Sequence, residues 1–196
     1  KRIFMKDLTK GSPSKVMISF AIPVALGNIF QLCYSLADTR VVGSTLGEAA
    51  LAAVGATTSI STLFIGFLSG LTNGFALLIA RQFGAGDKKG VTRYGAGCLL
   101  LGCITSVLLT FICVSSLPFI LRLLNVPEAL MGQSTAYIRA VLLGLLATML
   151  YNGCASILRA VGDTTAPLLF LLFAAALNVA LDLLFILKFG FGVAGA

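Results

Sequence analysis

Residues Ala166 to Leu187, APLLFLLFAAALNVALDLLFIL, form an apolar run long enough to cross a bilayer, and a carboxylic acid sits inside it. As a helix this run rises about 33 Å, close to the hydrocarbon thickness of a membrane. Asn178 and Asp182 are its strongly polar residues, and a spacing of four puts both on one helical face. A carboxylate turned to lipid costs several kcal/mol, so such a face points to a bundle interior or a water-filled cavity and marks an ion or substrate path. The rest of the chain must supply that interior.

Composition makes the same demand. Hydrophobic residues account for 58% of the chain and charged residues for 11%, where soluble domains average about 45–50% and about 25%. A soluble core cannot hide that much apolar surface, so the fold expected is an all-α, polytopic transmembrane helix bundle. The 196 residues suffice for five or six helices, with connections too short to hold a soluble domain. A single transmembrane domain over residues 1–196 follows, with spans at about 16–42, 49–79, 94–121, 135–158 and 166–188 and the opening of a sixth helix after Lys188. A signal peptide has a shorter apolar core than the first run, which reads as a retained span.

The five cysteines lie in or beside apolar runs, without a CxxC, and there is no histidine. They read as small buried hydrophobes rather than a disulfide or metal framework. Fourteen basic residues against seven acidic ones sit at helix ends and in connections, which is a topology signal and not a nucleic-acid surface. With the N-terminus cytoplasmic, ten of the fourteen fall on the inner side, from Lys1 and Arg2 through Arg81, Lys88 and Arg93 to Arg159; Arg40, Arg122, Arg139 and Lys188 fall outside. That asymmetry places the N-terminus inside, in a plasma (inner) membrane.

Polar residues within the spans supply the candidate chemistry. In the first span Pro23 removes a helical hydrogen bond and predicts a bend. Beyond it Asn28, Gln31, Tyr34 or Ser35, and Asp38 recur at spacings of three and four, one polar stripe on an apolar helix. Gly66, Gly70 and Gly74 give the second span a ridge suited to close helix packing. The connection GAGDKKG, Gly84 to Gly90, lacks both GxGxxG and a GKS or GKT ending, and no strand precedes it, so it is not a nucleotide loop. The fourth span carries Tyr137 and Arg139 near its start and Thr148 and Asn152 on one face. In RAVGDTTAP, Asp163 or Thr164 is placed to cap the next helix ahead of Pro167, and Arg159 to pair with Asp163.

Depth ties these residues together. Spans one and five run outward with Asp38 and Asp182 late in each, and Tyr137 opens the inward-running fourth. Asp38, Tyr137, Asn178 and Asp182 are therefore expected at one level in the outer half of the membrane. Two acids in a dry site resist ionising together, so they suit a proton or a hard cation such as Na⁺ held by oxygen ligands. Simpler roles stay open: Asp38 paired with Arg40, Tyr137 as an interfacial anchor, and Gln31, Tyr34 and Asn152 as hydrogen-bonding links between helices.

Read in order, LADTRVVGSTLGEAALAAVG (Leu36 to Gly55), ARQFGAGD (Ala80 to Asp87), ILRAVGDTTAP (Ile157 to Pro167) and LNVALD (Leu177 to Asp182) resemble the N-terminal half of a multidrug and toxic compound extrusion (MATE) transporter. The resemblance implies two six-helix lobes around a central cavity, a C-terminal lobe as partner, and contact with membrane lipids. It also implies export of small organic, often cationic, compounds by alternating access in antiport with Na⁺ or H⁺, with no other cofactor. By position, Asp38, Asn178 and Asp182, with Tyr137, match the family's cation site; Pro23 matches the bend of its first helix; Gln31, Tyr34 and Asn152 look like cavity-lining positions. Arg40 stands where an apolar residue is expected and is placed to blunt Asp38. A flippase for lipid-linked oligosaccharides or peptidoglycan precursors, of the same superfamily, is the alternative that Arg40 and Arg139 leave open.

An enzyme is not expected. Intramembrane aspartyl proteases need Tyr-Asp and Gly-x-Gly-Asp contexts and a PAL motif, whereas these acids follow Ala37 and Leu181. Without histidine, a Ser-His-Asp triad or a histidine-held zinc is excluded.

Overall fold

The computed structural model of the protein describes residues 12–46 and 48–184; the side chains of Tyr34, Asp38 and Asp182 lie outside the described set, as does the expected start of a sixth span. Six helices are described: α1 Pro13–Leu46, α2 Glu48–Gly84, α3 Lys88–Leu123, α4 Glu128–Leu143, α5 Leu145–Ala160 and α6 Thr165–Leu183. By length and apolarity α2, from Leu51, and α3 each suffice to cross a membrane, and α4 with α5 count as a third span if the bent pair is taken as one. Met17–Cys33 and Thr165–Asn178 are shorter apolar stretches within α1 and α6. The lipid-facing character is plain on the outside of the bundle, where Phe111, Phe173 and Phe119 are 73%, 70% and 69% exposed. Side chains of that size open to water would be an aggregation liability; in lipid they are solvated.

The expected fourth span is broken. α4 and α5 meet at Gly144 with a bend of 42°. Gly144 has φ −78° and ψ −8°, off the helical ψ, and its carbonyl accepts both the Thr148 amide at 3.1 Å and the Thr148 hydroxyl at 3.2 Å. The apolar run LLGLL hides the break from periodicity; glycine is the one residue there without a side chain to resist it. At Pro23 α1 continues as a single helix.

Three of the connections are built alike. After α2, α3 and α5 a residue in left-handed backbone ends the helix: Gly86 (φ 74°), Asn125 (φ 53°) and Gly162 (φ 89°). In each the following amide reaches back to a carbonyl five residues earlier: Asp87 to Gln82 at 3.0 Å, Val126 to Leu121 at 3.1 Å and Asp163 to Leu158 at 2.9 Å. This is the Schellman closure, which satisfies the last carbonyls of a helix. Val126 and Leu121 bury the apolar contact that accompanies it. The same turns then start the next helix: Asp87 accepts from the Gly90 amide at 3.0 Å, and Asp163 Oδ1 accepts from the Thr165 and Ala166 amides at 3.1 and 3.0 Å. Of the two expected caps, Asp163 performs the role and Thr164 makes no side-chain cap bond.

The core lies among α2, α3, α4 and α5, around Leu68, Cys98, Leu117, Leu121, Ile138, Leu142, Leu145 and Met149. α3 and α5 approach closely at Gly102 and Gly153, over which Met149 lies. The ridge expected to pack, Gly66, Gly70 and Gly74, does not: a methyl added at any of the three meets nothing within 4 Å. Those glycines face away from the helices described, and the close approach lies between α3 and α5 instead. α1 and α6 pack on each other and lean on the α2–α5 block over a shorter length, leaving space between the two groups.

Candidate functional site

That space is a cavity of about 1170 Å³, with a side recess of about 70 Å³ beneath Pro23 and Pro167. Each wall is a stripe at helical spacing: Phe20, Val24, Asn28 and Gln31 from α1; Ser69, Thr72, Asn73, Ala76 and Ala80 from α2; Thr148, Asn152, Ser156 and Arg159 from α5; Leu171, Ala174, Ala175 and Asn178 from α6. The lining runs from Phe20 to Gln31 on α1, along the second half of α2, along nearly the whole of α5 from Ala147 to Ala160, and from Leu171 to Asn178 on α6.

Gln31 and Asn152, expected to line a cavity, and Asn178, expected in the cation site, thus share one cavity, and Pro23 borders the recess. Asn152 Nδ2 stands 3.5 Å from Ser69 Oγ, the outer limit of a hydrogen bond, so it lines the cavity more than it ties α5 to α2. Asn178 is the informative member. Its Oδ1 is buried and accepts no hydrogen bond among the described residues. A buried amide oxygen without a donor costs about 1–3 kcal/mol, which a proton donor or cation at that oxygen would offset.

Tyr137 sits elsewhere. It is half-buried against the apolar cluster of the core, and it is absent from the residues lining the cavity. Asp38 lies seven residues beyond Gln31 and Asp182 four beyond Asn178, about 10 Å and about 6 Å further along their helices.

Arg159 and Asp163 do not pair. The carboxylate is committed to the amides of α6, and the guanidinium instead turns to Ser156 Oγ at 3.4 Å and lines both the cavity and the recess. Sequence reasoning also missed Ser69, Thr72 and Asn73. Extending the Thr148–Asn152 spacing by four and then three would have reached Ser156 and Arg159.

The MatE family model matches residues 23–184, most of the described helices. The chain belongs to the MatE family. It is 33% identical over 192 residues to the probable multidrug resistance protein YpnP of Bacillus subtilis, covering 97% of this chain and 43% of that one. It is 30% identical over 204 aligned positions to a protein of Shewanella oneidensis named as an FAD transporter, covering 96% and 42%. A solved MATE structure in complex with MaD5 superposes on all of this chain and 44% of its own, with a TM-score of 0.90 and 32% identity. A multidrug resistance MATE transporter in an outward-facing conformation gives 0.88 at 33% identity, over 95% and 41%. The MatE chain thus spans less than half the length of the relatives it matches, and the shared fold is an all-α, multi-pass membrane bundle.

Proposed function

We propose that this chain is the N-terminal lobe of a secondary active transporter in the plasma membrane, which exports small organic compounds, cationic ones included, in antiport with Na⁺ or H⁺. In this reading a C-terminal lobe completes the central cavity, α1, α2, α3, the α4–α5 pair and α6 act as five spans with a sixth following, and the N-terminus is cytoplasmic. The chain performs no covalent chemistry.

The observation that carries the reading is the unpartnered Oδ1 of Asn178, buried on the wall of a large polar-lined cavity and one helical turn before Asp182. A carboxylate one turn along on the same helix adds a second oxygen of the kind that holds a proton or a hard cation. Occupancy of that end changes the charge beside the cavity, which is how a coupling ion and a guest compete for one lobe. Asp38 and Tyr137 are proposed as the other members of the ion site, and Gln31, Tyr34 and Asn152 as cavity lining. Among relatives, YpnP is named as a probable multidrug resistance protein and another as an FAD transporter, so relatives on this scaffold are named for chemically different guests.

The test is dye efflux from proteoliposomes driven by an imposed Na⁺ or H⁺ gradient. Asp182→Asn is expected to abolish gradient-driven efflux while the protein still inserts and folds. Undiminished coupled efflux by that variant would sink the proposed ion site.

A further inference from the structure

Among the described residues lining the cavity, Arg159 is the one that carries a charge. The rest of the polar lining is amide and hydroxyl: Gln31, Asn73, Asn152, Ser156 and Asn178 among them. Arg159 is part-buried on that wall, where a guanidinium commonly has a carboxylate beside it. Asp163, four residues on, is spent on the α6 amides, and the structure records no ion pair for Arg159 among the described residues. Its contact is with the Ser156 hydroxyl at 3.4 Å, long for a charge-assisted hydrogen bond.

The end of α5 does not supply the missing partner either. A helix C-terminus offers partial negative charge through its last carbonyls, but the Leu158 and Arg159 carbonyls are already taken by the Asp163 and Gly162 amides. Among the described residues, the guanidinium therefore keeps several donors in a planar fork at the cavity wall with no acceptor of full charge. That arrangement fits a carboxylate, sulfonate or phosphate oxygen pair.

We propose that Arg159 is an anion seat at one end of the α1–α2–α5–α6 cavity, holding the acidic group of an amphiphilic guest whose apolar body lies along Val24, Leu171 and Ala175. The inference rests on the transporter reading and narrows it: guests bearing an acidic group, zwitterions included, bind in preference to otherwise identical molecules without one. The acid-bearing ends of α1 and α6 lie further along the bundle, so a seated anion and a coupling ion do not contend for the same atoms. The anionic group has two sources, a soluble guest or the phosphate of a lipid reaching in from the membrane, and the experiment separates them.

The full transporter containing this lobe, reconstituted in nanodiscs, is titrated with rhodamine B, which bears a free carboxylate, and with its ethyl ester, which does not. Binding is read by fluorescence polarisation, first in phosphatidylcholine and then with added phosphatidylglycerol. In neutral lipid Arg159→Gln is expected to weaken rhodamine B at least about tenfold and leave the ester unchanged, as loss of a charge-assisted bond predicts; Arg159→Lys keeps much of the preference. If phosphatidylglycerol displaces the dye from the native protein but not from Arg159→Gln, the seat takes a lipid phosphate, which also supports the proposal. Equal loss for both dyes from an Arg159→Gln variant that keeps the native thermal midpoint means that the guanidinium does not distinguish the acid, and no loss for either, with no lipid effect, means no seat; both overturn it. Binding is measured without an ion gradient, so a failure of coupled efflux, which would sink the transporter reading, leaves this outcome legible on its own.

Discussion

The Thr110 hydroxyl of α3 donates a 2.8 Å hydrogen bond to the Leu142 carbonyl, two residues before α4 gives way to α5 at Gly144. A break in a membrane helix frees backbone groups that lipid cannot satisfy, and hydroxyls from neighbouring helices are the usual remedy. α3 thus stabilises the bend that carries Thr148, Asn152 and Arg159 to the cavity wall.

Thr110→Val keeps the side chain's shape and removes the donor. The expected cost is about 1 kcal/mol of stability, seen as a lower midpoint in thermal unfolding followed by circular dichroism in detergent, while Thr110→Ser stays near the native value. An unchanged midpoint for the valine variant would show that the break satisfies itself.

Ser134 in α4 predicts the opposite sign. It is fully buried, and its Oγ has no hydrogen-bond partner among the described residues. Ser134→Ala discards a desolvated hydroxyl at little cost in packing, so the midpoint is expected to hold or rise, by up to about 1 kcal/mol. A fall comparable to that of Thr110→Val would mean that the hydroxyl has an acceptor after all.

Gly102 is where α3 accepts Met149, since a Cβ there would overlap the methionine Cε. Gly102→Ala forces the buried Met149 side chain to shift and is expected to cost about 1–3 kcal/mol. Because Met149→Ala opens space at the same point, the double variant should lose less than the sum of the two single losses, a coupling readable from one thermal-unfolding cycle. Strict additivity would place the clash elsewhere.

Much of this fold was open to reading from the sequence because lipid enforces simple rules. Long apolar runs must be helices, and the left-handed residues that end them announce themselves as the Gly-Asp pairs at Gly86–Asp87 and Gly162–Asp163. What was not legible depended on which face meets which neighbour. Gly66, Gly70 and Gly74 and the pair Gly102 and Gly153 are equally small, yet only the latter sit where another helix crosses. Gly144 lies in a run whose apolar pattern continues on both sides, so nothing local distinguishes a bend from a straight helix. Capping α6 and pairing with Arg159 are both open to Asp163 in the sequence, and only the turn geometry decides for the cap.

Asn178 separates binding from stability most cleanly. Its buried Oδ1 accepts no hydrogen bond among the described residues, so Asn178→Leu, which keeps the branched shape, removes an unsatisfied group and should leave the thermal midpoint unchanged or raised. If that oxygen serves the coupling ion, the same variant should lose most of the Na⁺- or H⁺-driven dye efflux, and it should lose the shift in midpoint that a bound ion gives the native protein, since a ligand held only by the folded state stabilises it. Asn178→Asp, which keeps an oxygen at the same place and adds charge, is expected to retain ion-dependent stabilisation. A leucine variant that transports and responds to ions like the native protein would remove Asn178 from the ion site and leave it a cavity-wall residue.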